Sequence, residues 1–190
     1  MDEDALNTLC AQARACRVCE SHLPLPPRPV FRVSATARVL IIAQAPGTKA
    51  HETGLPFNDA SGDRLRGWMG VDRETFYDSS RVAFLPMGFC YPGRLPTGGD
   101  APPRPECAPL WHDKFFTLIP NIRIKLLVGG YALRRYLGKG TMTEHVRNTG
   151  RKGIVALPHP SWRTTAWEAR NTWFAQDVLP ALRAALALYL

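Results

Sequence analysis

Long apolar runs and two common nucleotide-binding signatures are missing from this sequence. The most apolar segment, residues 179–190, contains Arg183 and is shorter than the roughly 20 residues that a membrane helix needs. No turn is followed by Gly-Lys-Ser/Thr, and no G-x-G-x-x-G pattern occurs. The sequence therefore argues against a membrane-spanning protein, a P-loop nucleotide hydrolase and a dinucleotide-binding protein.

Low-complexity sequence and a basic, apolar leader are also missing. The 15 glycines and 17 prolines punctuate loops and do not form one tract. With 45% hydrophobic residues, the chain can bury a substantial core as one domain over residues 1–190. Because the first residues, Met1-Asp-Glu-Asp, are acidic, they do not resemble a signal or transit peptide, and we expect a cytoplasmic protein.

Acidic residues are scarce in the last third of the chain. Residues 1–120 contain 13 Lys/Arg and 13 Asp/Glu, whereas residues 121–190 contain 11 and 3, so the net charge of +8 arises there. A one-sided basic surface is typical of polyanion-binding proteins, because contacts with phosphates release counterions. A basic face that only keeps the protein soluble would give the same composition, and charge alone does not separate the two.

Cysteines are few, and their spacing is uneven. They are Cys10, a C-x2-C pair at Cys16 and Cys19, then Cys90 and Cys107. In a chain that begins without a signal peptide, this set does not indicate a disulfide framework. Ligation of a metal ion or a cluster is the leading hypothesis.

Short apolar segments alternate with helical patterns along the chain. The patterns predict helices over residues 2–15, 59–69, 106–118, 131–137 and 167–188, the last kinked before Pro180, and strands over 38–43, 82–89, 125–128 and 154–157. Strands that are apolar throughout are typical of parallel sheets covered on both faces. We predict an α/β fold, a three-layer α/β/α sandwich around a mostly parallel four-stranded sheet.

Three loops after predicted strands carry unusual side chains, and ligands bind outside the carboxyl ends of such strands. The first runs from Gln44-Ala-Pro-Gly47 to Asp63, the second contains Cys90, and the third is Pro158-His-Pro-Ser-Trp-Arg163. Phe57 in the first loop could stack on a planar ligand or belong to the core. Asp59 could act chemically or cap a helix.

The third loop places His159 between two prolines, which restrict its backbone. Such a histidine suits a group that donates one directed hydrogen bond, although a lone histidine is more often structural. Trp162 and Arg163 follow at the loop tip. An exposed aromatic beside a cation is what a base-stack wedge or a phosphate clamp would use.

Taken in order, these motifs resemble the uracil-DNA glycosylase superfamily, and specifically its iron–sulfur branches, families 4 and 5. The resemblance covers nearly the whole chain. It rests on the C-x2-C pair, the second cysteine pair and three further elements: AQAPG at 43–47, GLPF-x-x-x-SG at 54–62 and HPS at 159–161. No single motif is decisive, but five in this order are specific.

The resemblance implies a monofunctional glycosylase of DNA base-excision repair. Such an enzyme flips uracil or a related deaminated base into a pocket and hydrolyses its N-glycosidic bond. The residues it implicates are Asp59, His159 and Gln44 as catalytic, Ala45, Pro46, Gly47, Phe57 and Ser61 as substrate-binding, and Ser161, Trp162 and Arg163 as DNA-binding. The expected partner is DNA containing uracil or another damaged base, with no membrane association and a monomeric state.

The resemblance also implies a cofactor, a [4Fe–4S] cluster held by Cys16, Cys19, Cys90 and Cys107. Cys10 has no assigned role. Four thiolates satisfy such a cluster, and a zinc ion bound by the same side chains is the alternative. In either case the ligands would tie the N-terminal segment to the long loop between residues 91 and 105.

Two positions depart from the family pattern. Family 4 has a glutamate in the first motif, where this chain has Gln44 and Ala45, and an asparagine near Pro86. The D-x-SGD stretch of family 5 is matched by residues 59–63, so Asp59 is the candidate that orients water or stabilises the sugar cation. The alternatives are an inactive module that binds damaged DNA, a glycosylase for hypoxanthine or xanthine, and a zinc-stabilised nucleic-acid-binding protein.

Overall fold

The four strands form one parallel sheet in the computed structural model, which describes residues 3–150 and 152–190. They are β1 (Val39–Ile42), β2 (Val82–Phe84), β3 (Ile124–Val128) and β4 (Ile154–Leu157), in the order β2-β1-β3-β4. Val39 pairs with both Val82 and Ile124, and every pairing is parallel. The predicted α/β fold is confirmed.

Helices fill the segments between the strands. Within the described residues they are α1 (Glu3–Arg14), α2 (Thr48–Thr53), α3 (Ala60–Met69), α4 (Arg73–Tyr77), α5 (Cys107–Leu118), α6 (Gly130–Leu137), α7 (Met142–Arg147), α8 (Thr165–Arg170) and α9 (Leu179–Leu186). Short 3₁₀ turns lie at Glu20–His22 and Trp162–Thr164, and a π-helical turn lies at Phe174–Val178. No helix in this part of the chain is long and apolar enough to cross a bilayer.

The order of the strands places helices on both faces of the sheet. The chain moves from β1 outward to β2 and then crosses back over β1 to β3, so the direction of the crossover reverses. Because such crossovers are right-handed, reversal puts α3 and α5 on opposite faces. Helix α1 packs on α5, and α9 packs on α3, which thickens the two outer layers.

The strands form because nearly every side chain in them is apolar and buried. All four residues of β1 and all three of β2 are buried, as expected for strands covered on both faces. Large buried side chains from the helices and loops, including Phe76, Phe115 and Phe174, pack into the same core. The sheet is therefore a rigid platform for the loops that leave its carboxyl edge.

Helices α2, α4 and α7 were not predicted from the sequence. Each has five or six residues, too few for a helical period to be recognised, and each is defined by its ends. Helix α2 ends at Gly54, whose φ of 69° is left-handed, and Asp72 caps α4 by accepting from the Thr75 amide at 2.7 Å. The loop expected after Gly47 thus contains a helical turn.

The second predicted strand is shorter than expected, since β2 ends at Phe84 and not at residue 89. The Leu85 and Met87 amides still donate to Ile41 and Ala43 at 3.0 and 2.8 Å. Pro86 lies between them at a position that faces away from β1, on the side where Phe84 bridges Arg32, and its missing N–H group ends the pairing on that side. The segment is extended beside β1 without being a regular strand.

The sequence predicts a single C-terminal helix over residues 167–188, and this prediction was wrong because the structure divides the segment into several elements. Helix α8 ends at Asn171, whose ψ of 61° leaves the helical region, and a π-helical turn precedes α9. Pro180 lies in the first turn of α9, where its missing N–H group costs nothing. The expected kink before Pro180 is therefore a change of helix type, with a second break at Asn171.

Candidate active site and cysteine cavity

A pocket lies at the carboxyl edge of the sheet, where the loops after β1, β2 and β4 meet. We call it the base pocket, and its space is about 620 Å³ including the open mouth. It contains all eight residues predicted to be catalytic or substrate-binding: Gln44, Ala45, Pro46, Gly47, Phe57, Asp59, Ser61 and His159. Val30, Phe84, Pro86 and Asp100 also line it, among others.

The turn after β1 is fixed by backbone and side-chain hydrogen bonds. The Gly88 amide donates to the Gln44 carbonyl at 3.0 Å, and Gln44 Nε2 donates to the Ala101 carbonyl at 3.3 Å. The side-chain nitrogen of Gln44 therefore holds the loop between Cys90 and Cys107. Gly47 precedes α2, so the turn leads its backbone directly into the pocket wall.

Phe57 is held in a conformation that few non-glycine residues adopt. Its φ is 55°, and the Tyr77 hydroxyl lies 3.0 Å from both the Pro56 and the Phe57 carbonyl oxygens. A Cβ atom on Gly62 would lie 1.7 Å from the Phe57 carbonyl oxygen, so only glycine fits there. Strained backbone of this kind is concentrated at functional sites, and here it sets the angle of a half-buried ring in the pocket.

Asp59 lines the pocket and also caps α3. Its Oδ1 accepts a hydrogen bond from the Gly62 amide at 2.9 Å, while its backbone is extended. The capping role that the sequence left open is therefore present. One carboxylate oxygen is used by the helix, and the second has no hydrogen bond to any residue that the structure describes.

His159 is held at the pocket by its own loop. Its carbonyl oxygen accepts from the Ser161 amide at 2.8 Å and from Thr164 Oγ1 at 2.5 Å. Burial lowers the pKa of His159 below the ordinary value of 6.5, and the carboxylates of Asp59 and Asp100 oppose this in part. The imidazole is thus neutral at neutral pH and can donate one N–H hydrogen bond into the pocket.

A groove continues from the mouth of the base pocket and includes the predicted DNA-binding residues Ser161, Trp162 and Arg163. Trp162 is 78% exposed, and the Arg163 guanidinium lies 5.6 Å from the centre of its ring. Arg64 braces this loop against α3, because its guanidinium donates to the Ser161 carbonyl at 2.9 Å and pairs with Glu168 at 2.6 Å. Sequence reasoning did not identify Arg64, since it directly follows the motif at residues 59–63 and is not part of it.

The basic residues of the last third of the chain are not gathered at this groove. Arg163 lies in it, whereas Arg123 and Lys152 precede β3 and β4 at the opposite edge of the sheet. The charge excess is therefore distributed over both edges. The alternation of strand and helix carries the chain from one edge to the other, so these positions do not separate a polyanion-binding surface from a basic face that only keeps the protein soluble.

A second cavity, the cysteine cavity, brings together the four predicted ligands Cys16, Cys19, Cys90 and Cys107. They come from the segment after α1, the loop after β2 and the start of α5. Cys10 is buried in α1 and is absent from the residues that line this cavity. The structure thus separates the fifth cysteine from the other four, as expected.

Burial disfavours the thiolate forms of Cys90 and Cys107. It raises the pKa of Cys90 to about 11 and that of Cys107 to about 12, and the neighbouring cysteines add to both shifts. The Phe89 amide points at Cys107 Sγ at 3.3 Å, which opposes the shift. A bound cation or cluster is what would keep such sulfurs ionised.

Two buried donors at the cysteine cavity have no partner among the described residues. They are Trp111 Nε1 and Arg104 Nε, and both side chains line the cavity. Nor do any three Cys, His, Asp or Glu side chains in the described ranges converge closely enough to hold a single metal ion. The cavity therefore combines four cysteine sulfurs with two N–H groups that have no hydrogen-bond partner among the described residues. Both a cluster and a zinc ion take sulfur ligands of this kind.

Behind the base pocket, His112 on α5 supports the position of Pro86. Its ring is fully buried, with Nε2 2.9 Å from the Pro86 carbonyl and Nδ1 2.5 Å from the Tyr136 hydroxyl. A carbonyl can only accept, so Nε2 carries the proton and Nδ1 accepts from Tyr136. Sequence reasoning missed His112, because a histidine inside an apolar helix gives no distinguishing signal.

One comparison with known proteins bears on this arrangement. The family described as the Uracil DNA glycosylase superfamily matches residues 31–183, which is most of the chain. The match includes the whole sheet, every residue of the base pocket named above except Val30, and two of the four cavity cysteines. Cys16 and Cys19 precede the matched range.

Proposed function

The chain belongs to the uracil-DNA glycosylase superfamily, and from this membership we propose that it hydrolyses the N-glycosidic bond of uracil or a related deaminated base in DNA. The observation that carries the proposal is the base pocket, in which Phe57, Asp59 and His159 meet the turn after β1 at the carboxyl edge of the sheet. Members of this superfamily act on DNA as glycosylases. The finer assignment, a monofunctional enzyme of the iron–sulfur branch, rests on the residues below.

The flipped base would stack on Phe57. Its ring lies 6.3 Å from both Phe76 and Phe84, measured between ring centres, so aromatic side chains support it from behind. The pocket wall opposite consists of the backbone from Ala45 to Gly47. A planar, polar base between a ring and backbone amides is the arrangement that base-flipping enzymes use.

His159 would stabilise the charge that develops on the departing base. When the glycosidic bond breaks, its electron pair moves to the base, and a neutral imidazole N–H donor can stabilise the resulting anion. The neutral imidazole donates a hydrogen bond without giving up its proton. The hydrogen bonds to the His159 carbonyl already hold the residue in place. Gln44 completes this wall through its backbone and holds the neighbouring loop.

Asp59 would face the sugar cation or its attacking water with the oxygen that does not cap α3. Ser61, in the first turn of that helix, lines the same pocket and the groove. A carboxylate beside an oxocarbenium-like sugar provides the electrostatic stabilisation that the bond cleavage needs.

The groove would bind the DNA strand on either side of the flipped nucleotide. Trp162 is exposed at its edge and would fill the space that the flipped base leaves in the stack. Arg163 and the Ser161 hydroxyl would contact phosphates. The salt dependence of DNA binding follows from the number of such phosphate contacts.

We assign a [4Fe–4S] cluster to the cysteine cavity, held by Cys16, Cys19, Cys90 and Cys107. The cluster is supported by the four cysteines that line one cavity and by Trp111 Nε1 and Arg104 Nε, two donors without a partner among the described residues that would donate to cluster sulfur. When bound, the cluster would act structurally, tying the segment after α1 to α5 and to the loop that crosses the base pocket. The protein is proposed to be a cytoplasmic monomer.

Base preference is a second question, because Pro86 lies in the pocket wall. Its ring has no donor, and its carbonyl oxygen is already bonded to His112. The wall at this position cannot read the edge of a base through a side-chain amide. This favours a glycosylase with a broadened or altered base preference, including hypoxanthine and xanthine, over one restricted to uracil.

The test is free-base release by anaerobically purified protein from oligonucleotides that carry uracil, hypoxanthine or xanthine. His159→Ala should slow release about 100- to 1,000-fold, the usual effect of removing one donor to a developing anion. Asp59→Asn should lower the rate far more than the affinity for DNA. His22→Ala, at an exposed site outside the pocket, is the matched control. Tight DNA binding with no release of any base would instead support an inactive recognition module.

A further inference from the structure

The loop between Cys90 and Cys107 folds back over the mouth of the base pocket as a hairpin. Inside it, the Leu95 amide donates to the Gly99 carbonyl at 2.9 Å and the Ala101 amide to the Gly93 carbonyl at 2.8 Å. Gln44 Nε2 fastens the hairpin to the turn after β1 through the Ala101 carbonyl. Asp100 directly precedes Ala101. Its position is therefore set both by the hydrogen bonds within the hairpin and by the bond from Gln44.

Asp100 lies where the base pocket opens into the groove. Its Oδ2 would be 3.5 Å from a Cβ atom on Gly47, so the carboxylate faces the backbone of the turn after β1. Five residues line both the base pocket and the groove: Gln44, Ala45, Ser61, Asp100 and His159. A nucleotide whose base is in the pocket and whose phosphates are in the groove must have its sugar between these five residues.

The two pocket aspartates differ in what they already bind. Asp59 lines the base pocket but not the groove, and one of its oxygens is committed to the Gly62 amide. Among the residues that the structure describes, no hydrogen bond or ion pair engages the Asp100 carboxylate. An exposed carboxylate without a partner, fixed on a braced hairpin beside His159, is available to the substrate.

We propose that Asp100 is a second catalytic carboxylate of this site, facing the water that attacks C1′ of the target nucleotide, while Asp59 faces the sugar cation. The inference rests on the proposed glycosylase function and adds a residue that no motif in the sequence identified. In this arrangement His159 acts on the base and Asp100 acts on the water that attacks the sugar, from the two sides of the bond that breaks.

Hydrolysis replaces the base at C1′ with a hydroxyl group from water. The N-glycosidic bond breaks and its electron pair leaves with the base, while the water oxygen forms the new bond to C1′. The proton of that water passes to the Asp100 carboxylate and from there to solvent, and the released base takes up a proton from solvent. The products are the neutral base and an abasic sugar with a C1′ hydroxyl.

The experiment compares Asp100→Asn and Asp100→Ser with wild type under single-turnover conditions, on whichever of the uracil, hypoxanthine and xanthine oligonucleotides the wild type cleaves. Both variants should release base at least about 100-fold more slowly. Their Kd for the same oligonucleotide should be unchanged or lower, since a negative charge is removed near the phosphates. Asp177→Asn, at an exposed site that lines neither pocket, and Thr97→Ala, in the same hairpin, should retain the wild-type rate.

Each outcome separates this inference from the proposed function. An active wild type with Asp100 variants within about threefold of its rate overturns the role of Asp100 and leaves the glycosylase assignment intact. A wild type that releases none of the three bases overturns the glycosylase assignment, and the catalytic role of Asp100 with it. Equal iron content and melting temperature in all variants would show that a lower rate does not come from loss of structure.

Discussion

The base pocket and the cysteine cavity differ in how far the protein satisfies its own polar groups. In the pocket, the Gln44 amide, the Asp59 carboxylate and the His159 carbonyl each have a hydrogen bond inside the chain. In the cavity, Trp111 Nε1 and Arg104 Nε have none among the described residues. Buried polar groups are normally paired, so these two donors agree with the cluster that we propose for the cavity.

This difference assigns the two regions different physical roles. The pocket is preorganised by the sheet and by short capped helices, as a site must be when it stabilises charge without reorganising. The cavity is formed by residues from three separate segments, and we expect its stability to depend on the proposed cluster. The loop between Cys90 and Cys107 belongs to both, because its ends lie at the cavity and its middle lies at the pocket.

The largest predicted effect concerns the cysteine cavity and removes one of its proposed ligands. Cys107→Ser should abolish iron binding and lower the free energy of unfolding by more than about 4 kcal/mol, because loss of a bound metal centre is among the most destabilising changes. Iron per chain, visible absorbance and thermal unfolding measure it. Cys10→Ala, in the buried face of α1, should keep its iron.

A Cys107→Ser protein that retains its full iron content would contradict the assignment of the ligands. Phe57→Ala provides the reverse control, because it should retain iron while losing base release. If Cys107→Ser and Phe57→Ala lost iron equally, iron binding would depend on the base pocket as much as on the cysteine cavity, which would contradict the separate roles of the two regions.

A second prediction tests how firmly the pocket wall is held from behind. Burial lowers the pKa of His112 to about 4, with Arg135 lowering it and the Pro86 carbonyl and Asp113 opposing the shift. As the pH falls below about 6.5, His112 becomes protonated in the unfolded chain. In the folded chain it stays neutral until about pH 4. The free energy of unfolding should therefore decrease over that window, by about 3 kcal/mol in total, and stay constant above it.

The measurement is urea unfolding at pH 7.5, 6.0 and 4.5 for wild type and His112→Gln. Glutamine can still donate to the Pro86 carbonyl but does not titrate, so the dependence on pH should be flatter in the variant. Tyr136, which faces Nδ1, stays neutral throughout, since burial raises its pKa. An identical pH dependence in both proteins would show that His112 is not the group responsible.

The smallest effect concerns the free donors at the cavity. Trp111→Phe removes one N–H group that we expect to point at cluster sulfur, so the reduced cluster should be stabilised less. If the bond contributes about 1 kcal/mol, the reduction potential should fall by about 40 mV for a one-electron couple. Potentiometric titration followed by visible absorbance measures the shift, and a potential that does not move would exclude the hydrogen bond. Iron content and base release should not change.

Much of the fold was predictable from local pattern. Strands β1, β3 and β4 lie within one or two residues of their predicted bounds, because a buried parallel strand is a short apolar run between polar or glycine residues. Helices α1, α3 and α5 were predicted for similar reasons of periodicity and capping. The short helices α2, α4 and α7 were not, because five or six residues contain too little of a helical period.

The site was predictable wherever a motif lies next to a strand end. Gln44 to Gly47 and His159 follow β1 and β4 directly, and the structure places them in one pocket. Asp100 was not predicted, since it lies in a long proline- and glycine-rich loop with no period and no strand beside it. Trp111 and Arg104 were missed for a different reason, because an unpaired donor is recognisable only once its surroundings are known.

The sequence by itself determined which chemical groups the protein has and along which strands they lie, since apolar runs, turn residues and cysteine spacing are local properties. The tertiary structure decided which distant groups meet: residue 47 with residue 100, residue 16 with residue 107, and His112 with the carbonyl of Pro86. These contacts depend on the order β2-β1-β3-β4 and on how each loop closes over it. That order follows from burying both faces of the sheet at once, which no single segment can specify.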